Sequence, residues 1–381
     1  MMNRLNMEKP GRRWYSDPAF IACTFLLTGV GLVTLYSSSF AFANRFFGNG
    51  YYFIGRQIRL GIAGVGLFIA AVFIPMKFLR KMILPLVLGT IALCILTFVP
   101  GIGVTKNGAS RWISLGNSTY QPSELVKLTL PLYLAHIFDK KKDQVNLLGR
   151  GVLPPAMITS VFFLLIYLQN NFSTALFIAL NGLFIFFMAG VNLRYFFGAA
   201  MILFPVSTLL ILSKEHRLRR FISYIRPDWE PLGAGYQVRS SLLTIGSGGI
   251  WGKGIGQGTK KIASVPEIQS DFIFSSYAEE FGFVGIVLFF MVFGFFAYRG
   301  YRTALRSEDT FRRLLAFGLV TMICSQVLAN IAVVSGMLPP TGIPLPFFSA
   351  GGSSLATTLI MAGLITNVSR HKKEKEVSFG P

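Results

Sequence analysis

GAGYQVRSSLLTIGSGGIWGKGIGQGTKKIASVPEIQSDFIFSSYAEEFGFVG, from Gly233 to Gly285, is a long polar and glycine-rich stretch set between runs of almost pure hydrocarbon. It carries Arg239, Lys253, Lys260 and Lys261, and then an acidic set, Glu267, Asp271, Glu279 and Glu280. Connections of this length are usually functional or disordered. Amphipathic and apolar pieces at 241–245 and 271–277 argue for a segment folded against a membrane surface. Chemistry is expected here, with Asp271 at its centre.

Working outward, the 381 residues are 52% hydrophobic and include 37 phenylalanines, with a mean hydropathy of +0.57. That is too apolar for a soluble domain and reads as a polytopic membrane protein. The apolar runs are continuous, near span length and without strict alternation, so helices are expected and a barrel is not. The first run is too long for the apolar core of a signal peptide and no small-residue cleavage site follows it, which predicts an uncleaved first span. Cys23, Cys94 and Cys324 all fall inside apolar runs without ligand spacing and read as buried hydrophobes. His136, His216 and His371 are scattered, and neither a P-loop nor a Rossmann fingerprint occurs.

The pattern predicts an all-α integral membrane protein of about ten transmembrane helices, near 18–42, 54–75, 82–100, 120–138, 152–169, 172–190, 195–213, 275–298, 314–335 and 353–368. Residues 1–381 read as one membrane domain, with a large extracytoplasmic loop at 214–274 between spans seven and eight and a flexible cytoplasmic tail at 370–381. Lys and Arg concentrate in the N-tail, the 76–81 turn, the 139–151 and 299–313 loops and the C-tail, which places both termini in the cytoplasm. The net charge of +20 is therefore largely topological, and no nucleic-acid partner is expected. The 214–274 loop nevertheless holds nine basic residues. Either an anionic partner such as lipid phosphate or anchoring to anionic headgroups accounts for HRLRR at 216–220.

Several constellations are candidates for chemistry. Glu124 and Lys127 in QPSELVKL share a helix face, either as a structural intramembrane pair or with Lys127 turned to a polar cavity that receives an anion. Arg111 and Trp112 in GASRWISLG mark an outer interface, where Trp anchors and Arg can clamp an oxyanion. Glu267 and Asp271 stand four apart before the eighth span. A carboxylate at a low-dielectric boundary can serve as a general base, two can share a divalent cation with diphosphate, and an acid there can also simply cap the helix. Glu279 and Glu280 should face the protein interior. GMLPPTGIPLPFFSAGGSS, 336–354, reads as a proline-stiffened re-entrant hairpin, with Ser353 among groups able to meet an anion at the start of the tenth span.

With these motifs in view, the chain resembles the SEDS family of peptidoglycan glycosyltransferases, which includes FtsW, RodA and SpoVE. The resemblance runs from GLVTLYSSS (31–39) to GLITNVSRH (363–371) and takes in YYFIGRQ (51–57), VPGIGVTKNGASRWISLG (99–116), QPSELVKL (121–128), VPEIQSDFIFSSYAEEFGFVG (265–285) and the 336–354 hairpin. The 99–116 block and the Arg-Gln of YYFIGRQ resemble the FtsW and SpoVE branches more than RodA. The resemblance implies polymerisation of lipid II with release of undecaprenyl diphosphate at the outer leaflet of the bacterial cytoplasmic (inner) membrane, for septal wall synthesis. It places the family's loop aspartate on Asp271 as base, and makes Arg111, Glu124, Lys127, Arg239, Lys261, Glu267 and Ser353 substrate contacts.

A divalent cation, Mg²⁺ or Mn²⁺, is an expected helper with Asp271 as its candidate ligand, and no organic cofactor is expected. A single-pass class B penicillin-binding protein, other division proteins and membrane lipids are the implied partners. The chain departs from the family pattern in QNNFST (169–174), where the acid is lost, and at Ser240 and Ala350. The competing readings are a lipid II flippase and the elongation polymerase of the RodA branch. A transporter should line a midplane path with polar groups, whereas ionisable groups here crowd the outer edge.

Overall fold

The computed structural model describes residues 16–106, 108–116, 118–225, 234–258 and 268–370. Twelve α-helices and one small sheet are found among them. The helices are α1 (Pro18–Phe47), α2 (Tyr52–Phe73), α3 (Met76–Leu96), α4 (Pro122–Lys140), α5 (Leu153–Leu168), α6 (Phe172–Met188), α7 (Leu193–Leu212), α8 (Glu215–Ile225), α9 (Ala234–Ser247), α10 (Ile273–Arg306), α11 (Thr310–Val334) and α12 (Gly352–Ser369). Seven helical segments are long and apolar enough to cross a membrane: α1, α2, α3, Leu148–Leu168, the Leu193–Leu210 part of α7, α10 and α11. The expected spans near 120–138, 172–190 and 353–368 are also helical, as α4, α6 and α12. α6 is apolar but one residue short of span length, and α4 and α12 are more polar because most of their residues are buried against other helices. α4 is buried along most of its length and packs on α3, α5, α6, α11 and α12. At the other extreme, α7 has no buried residue among those described and is largely apolar, as a lipid-facing helix would be.

The expectation of an all-α chain needs correction at 101–120. There β1 (Gly103–Lys106), β2 (Ala109–Leu115) and β3 (Ser118–Tyr120) form an antiparallel three-stranded meander. Val104 opposes Trp112, and Ile113 opposes both Gly103 and Tyr120. The physical reason is alternation: Ala109 and Ile113 point inward and are buried, while Ser114 is exposed. The expected 214–274 loop likewise contains two helices, α8 and α9.

Helix ends converge at the two ends of the bundle. Asp17 caps α1 by accepting from Ala19 N and Phe20 N, both at 3.1 Å, and pairs with Arg299 of α10 at 2.6 Å. Its own N–H donates to Ser369 at the end of α12. At the opposite end, Gln121 N donates to Ser353 Oγ at 3.3 Å, joining the starts of α4 and α12.

The 248–256 segment is stitched into α10. Gly282 breaks that helix with φ 63° and ψ −164°, so the bonds that residues 283 and 284 would give back to 279 and 280 are not made. Phe283 N and Val284 N donate instead to Gly249 O and Ile250 O. Lys253 N and Gly254 N in turn donate to the released Glu279 O and Glu280 O, each at 3.0 Å. Four buried backbone groups are thereby satisfied by exchange rather than lost. A Cβ on Gly282 would lie 2.2 Å from Gly252 N, and one on Gly252 2.2 Å from Glu280 O, so only glycine allows this approach.

Candidate active site

Four elements meet around the 336–351 segment: the start of α4, the residues just before α10, the middle of α11 and the start of α12. Glu124 and Lys127 form an ion pair at 2.7 Å, with Lys127 1% and Glu124 3% exposed. Such a pair is tolerable at this depth only with its remaining valences filled. Lys127 Nζ also donates to Gln326 Oε1 at 3.0 Å, and Gln326 Nε2 donates to Pro344 O at 2.8 Å. One turn along α11, Asn330 Nδ2 donates to Ile343 O at 2.9 Å and to Asp271 O at 2.7 Å. A helical spacing of four thus sets two carboxamides against one irregular segment, whose carbonyls could not otherwise be satisfied in apolar surroundings.

The segment is pinned at its far end too. Leu345 N donates to Ser349 Oγ at 2.7 Å, Gln57 Nε2 to Ser349 O, and Ala350 N to Gln269 O at 2.9 Å. Proline at 339, 340, 344 and 346 removes backbone donors that would otherwise need partners here.

Asp271 is half-buried, and its side chain approaches this segment: a Cβ on Gly342 would lie 3.7 Å from Asp271 Oδ2. The N-cap position of α10 falls on Phe272, one residue later, so Asp271 is not the capping residue. Its backbone is clamped by Asn330 while its carboxylate lies beside a residue without a side chain.

Arg111 lies on β2, half-buried. Its Nη2 donates to Asn170 O in the 169–171 turn, and Asn170 Nδ2 reaches back to Gly108 O at 2.8 Å. Its Nε is buried without a hydrogen-bond partner among the described residues. Burial first, and then the neighbouring Arg220 of α8, push the Arg111 guanidinium down to about 10. Two like charges held close at one surface make a setting that an oxyanion relieves.

The structure therefore brings together Asp271, Glu124, Lys127 and Ser353 around the hairpin, but Lys127 is a buried strut and does not face a cavity. Arg239 lies on the exposed face of α9, whose opposite face, Ser240, Ser241 and Thr244, is buried. Lys261 and Glu267 lie outside the described residues. Glu279 and Glu280 are buried as expected, Glu279 against Ser247 and Lys253, and Glu280 against Ser37 and Gly256 N. Gln326 and Asn330 belong to none of the sequence motifs, whereas Arg220 closes the basic HRLRR run at 216–220. A Gln and an Asn four apart in the otherwise apolar 314–334 run were the available signal for the first two.

The family model described as "Cell cycle protein", spanning FtsW, RodA and SpoVE, matches residues 18–374. The chain belongs to this FtsW/RodA/SpoVE family. It is 38% identical over 357 residues to "Probable peptidoglycan glycosyltransferase FtsW" of Geobacter sulfurreducens, covering 94% of this chain and 96% of that protein. "Stage V sporulation protein E" of Bacillus subtilis is 36% identical over 361 residues, 94% of this chain and 98% of that one. Among solved structures, one described as "Structural coordination of polymerization and crosslinking by a peptidoglycan synthase complex" superposes with a TM-score of 0.78 at 28% identity, covering 94% of this chain and 98% of that chain. The rod shape determining protein RodA of Thermus thermophilus gives a TM-score of 0.68 at 27% identity, over 93% and 97% of the two chains. The meander, the broken α10 and the pinned hairpin are thus features of an FtsW/RodA/SpoVE family member.

Proposed function

We propose that this chain polymerises peptidoglycan glycan strands from lipid II at the outer face of the bacterial cytoplasmic membrane, serving the division septum. The observation that carries the reading is the placement of Asp271: Asn330 clamps its backbone, and its carboxylate lies beside Gly342 of the proline-rich segment. The name and fold of the relatives support the same chemistry. In this reading Asp271 takes the proton from the 4-hydroxyl of the acceptor GlcNAc. The oxygen attacks the anomeric carbon of the donor MurNAc, the bond to undecaprenyl diphosphate breaks with the electron pair leaving on that diphosphate, and the anomeric centre inverts. Arg111, with Arg220, Arg239 and Lys261, would receive diphosphate charge, while Glu267 and Ser353 would contact the sugars. Glu124 and Lys127 act as positioning residues through Gln326.

Among the described residues no group of three or more His, Cys, Asp or Glu is placed to hold a metal. A Mg²⁺ or Mn²⁺ ion, when bound, would be held by the Asp271 carboxylate. Bound so, it would neutralise charge on the leaving group. Ten spans with both termini cytoplasmic, and a single-pass class B penicillin-binding protein as working partner, complete the proposal.

The test is glycan polymerisation from fluorescent lipid II by the purified chain with its transpeptidase partner, wild type against Asp271→Asn. Polymer from the wild type and none from a variant that still folds and binds lipid II supports the reading. Equal polymer from both removes Asp271 as base. Lipid II movement across liposome membranes without polymer would establish the flippase instead.

A further inference from the structure

At the end of the bundle opposite Asp271, the close of α2, the start of α3, the start of α11 and the end of α12 enclose a pocket of about 380 Å³. Its wall is apolar, from Val72, Phe73, Pro75 and Met76, and Lys77, Arg312, Asn367 and Arg370 also line it. Part of this polarity is structural. Asn367 Nδ2 donates to Ala71 O and Ile74 O, and Arg370 Nη1 to Val72 O, so these two cap the last carbonyls of α2. Arg370 also stacks over Phe73, 4.6 Å from the ring centroid.

Lys77 and the Arg312 guanidinium cap no helix end, and neither makes a hydrogen bond or ion pair with a described residue. The nearby carboxylates are already engaged. Asp139 and Asp309 both pair with Arg80, at 2.5 and 3.0 Å, and Asp309 also caps α11 through Arg312 N. Lys77 and Arg312 are thus cations of the pocket wall that no described carboxylate engages.

We infer that this pocket binds the phosphate group of an anionic phospholipid on the side of the membrane opposite Asp271. The charge requires an anion, and a phosphate ester is the chemistry that matches a planar guanidinium fork beside an ammonium donor. The neighbourhood selects lipid over a free ion, because Phe73 on the rim is 64% exposed and Phe78 beside it 51%, offering apolar surface to an acyl chain. The site is separate from the proposed catalytic end and does not depend on that function.

Native mass spectrometry of the full chain in detergent, titrated with cardiolipin, phosphatidylglycerol or phosphatidylcholine, tests it. The expected result is tight retention of the anionic lipids, weakened about tenfold or more by Lys77→Gln with Arg312→Gln. Lys142→Gln with Arg306→Gln, an equal loss of charge outside the pocket, should change retention by less than about twofold. Should the double variant unfold, Lys77→Gln alone gives the same comparison with a smaller loss. Equal weakening in both variant pairs would mean a diffuse field and overturn the site. Full displacement by millimolar inorganic phosphate would make the ligand a free anion, and loss of binding in a chain ending at Arg370 would move the site to the tail. Either result overturns the proposal.

Discussion

Asn330 donates from one nitrogen to two carbonyl oxygens, Asp271 O at 2.7 Å and Ile343 O at 2.9 Å, and so ties the approach to α10 to the proline-rich segment. The carboxylate of Asp271 is thereby aimed by a residue 59 positions away that need not touch substrate. Replacing Asn330 by Leu leaves two buried carbonyls without a donor, each costing about 1–3 kcal/mol. The expected outcome is a polymerisation rate lowered at least about tenfold, with lipid II affinity within about twofold. A matching loss of affinity would instead mark Asn330 as a substrate contact.

Glu124 and Lys127 lend themselves to a double-mutant comparison. Breaking a buried pair from one side leaves an uncompensated charge and costs about 3–5 kcal/mol, whereas replacing both partners by apolar residues costs much less. Glu124→Leu or Lys127→Met should therefore lower the thermal unfolding midpoint far more than the two together. If the double variant is as unstable as the sum of the singles, the pair does not act as a unit.

Gly282→Ala should release the 248–256 segment. The new Cβ would overlap Gly252 N, and φ of 63° disfavours any side chain, for a cost on the order of 1–3 kcal/mol. Hydrogen exchange is the direct reading: the amides of Lys253, Gly254, Phe283 and Val284 should lose protection while the core of α11 keeps it. Unchanged exchange at those four amides would refute the backbone exchange described for this loop.

Arg111 and Arg220 should separate stability from binding. A cation whose pKa falls to about 10 on folding costs stability while charged, and folding gains from rising pH only above about 10, as the proton leaves. At neutral pH Arg220→Gln should therefore leave the unfolding midpoint unchanged or slightly raised. Its lipid II affinity should fall about tenfold and depend less on salt. A destabilised Arg220→Gln protein with normal affinity would show that the two charges serve the fold.

The amino-acid sequence by itself determined the membrane class and the position of nearly every long helix, and it marked the stretch around Asp271 as a polar break between them. These are legible because hydropathy and charge act along the chain: a run of apolar residues must find hydrocarbon whatever its neighbours do. The residues of the 336–354 and 121–128 motifs were legible for the same reason, as polar or proline-rich breaks in apolar surroundings. Only the tertiary structure decided that Lys127 is braced by Gln326, that Asn330 aims Asp271, that α10 breaks to accept a glycine loop, and that Lys77, Arg312 and Arg370 share a pocket. Each of these joins residues far apart in sequence, by hydrogen bonds or shared charge whose geometry exists only once the helices pack. The sheet at 103–120 belongs between the two: its alternation is written in GASRWISLG, but its pairing partner on each side is set by how the strands close.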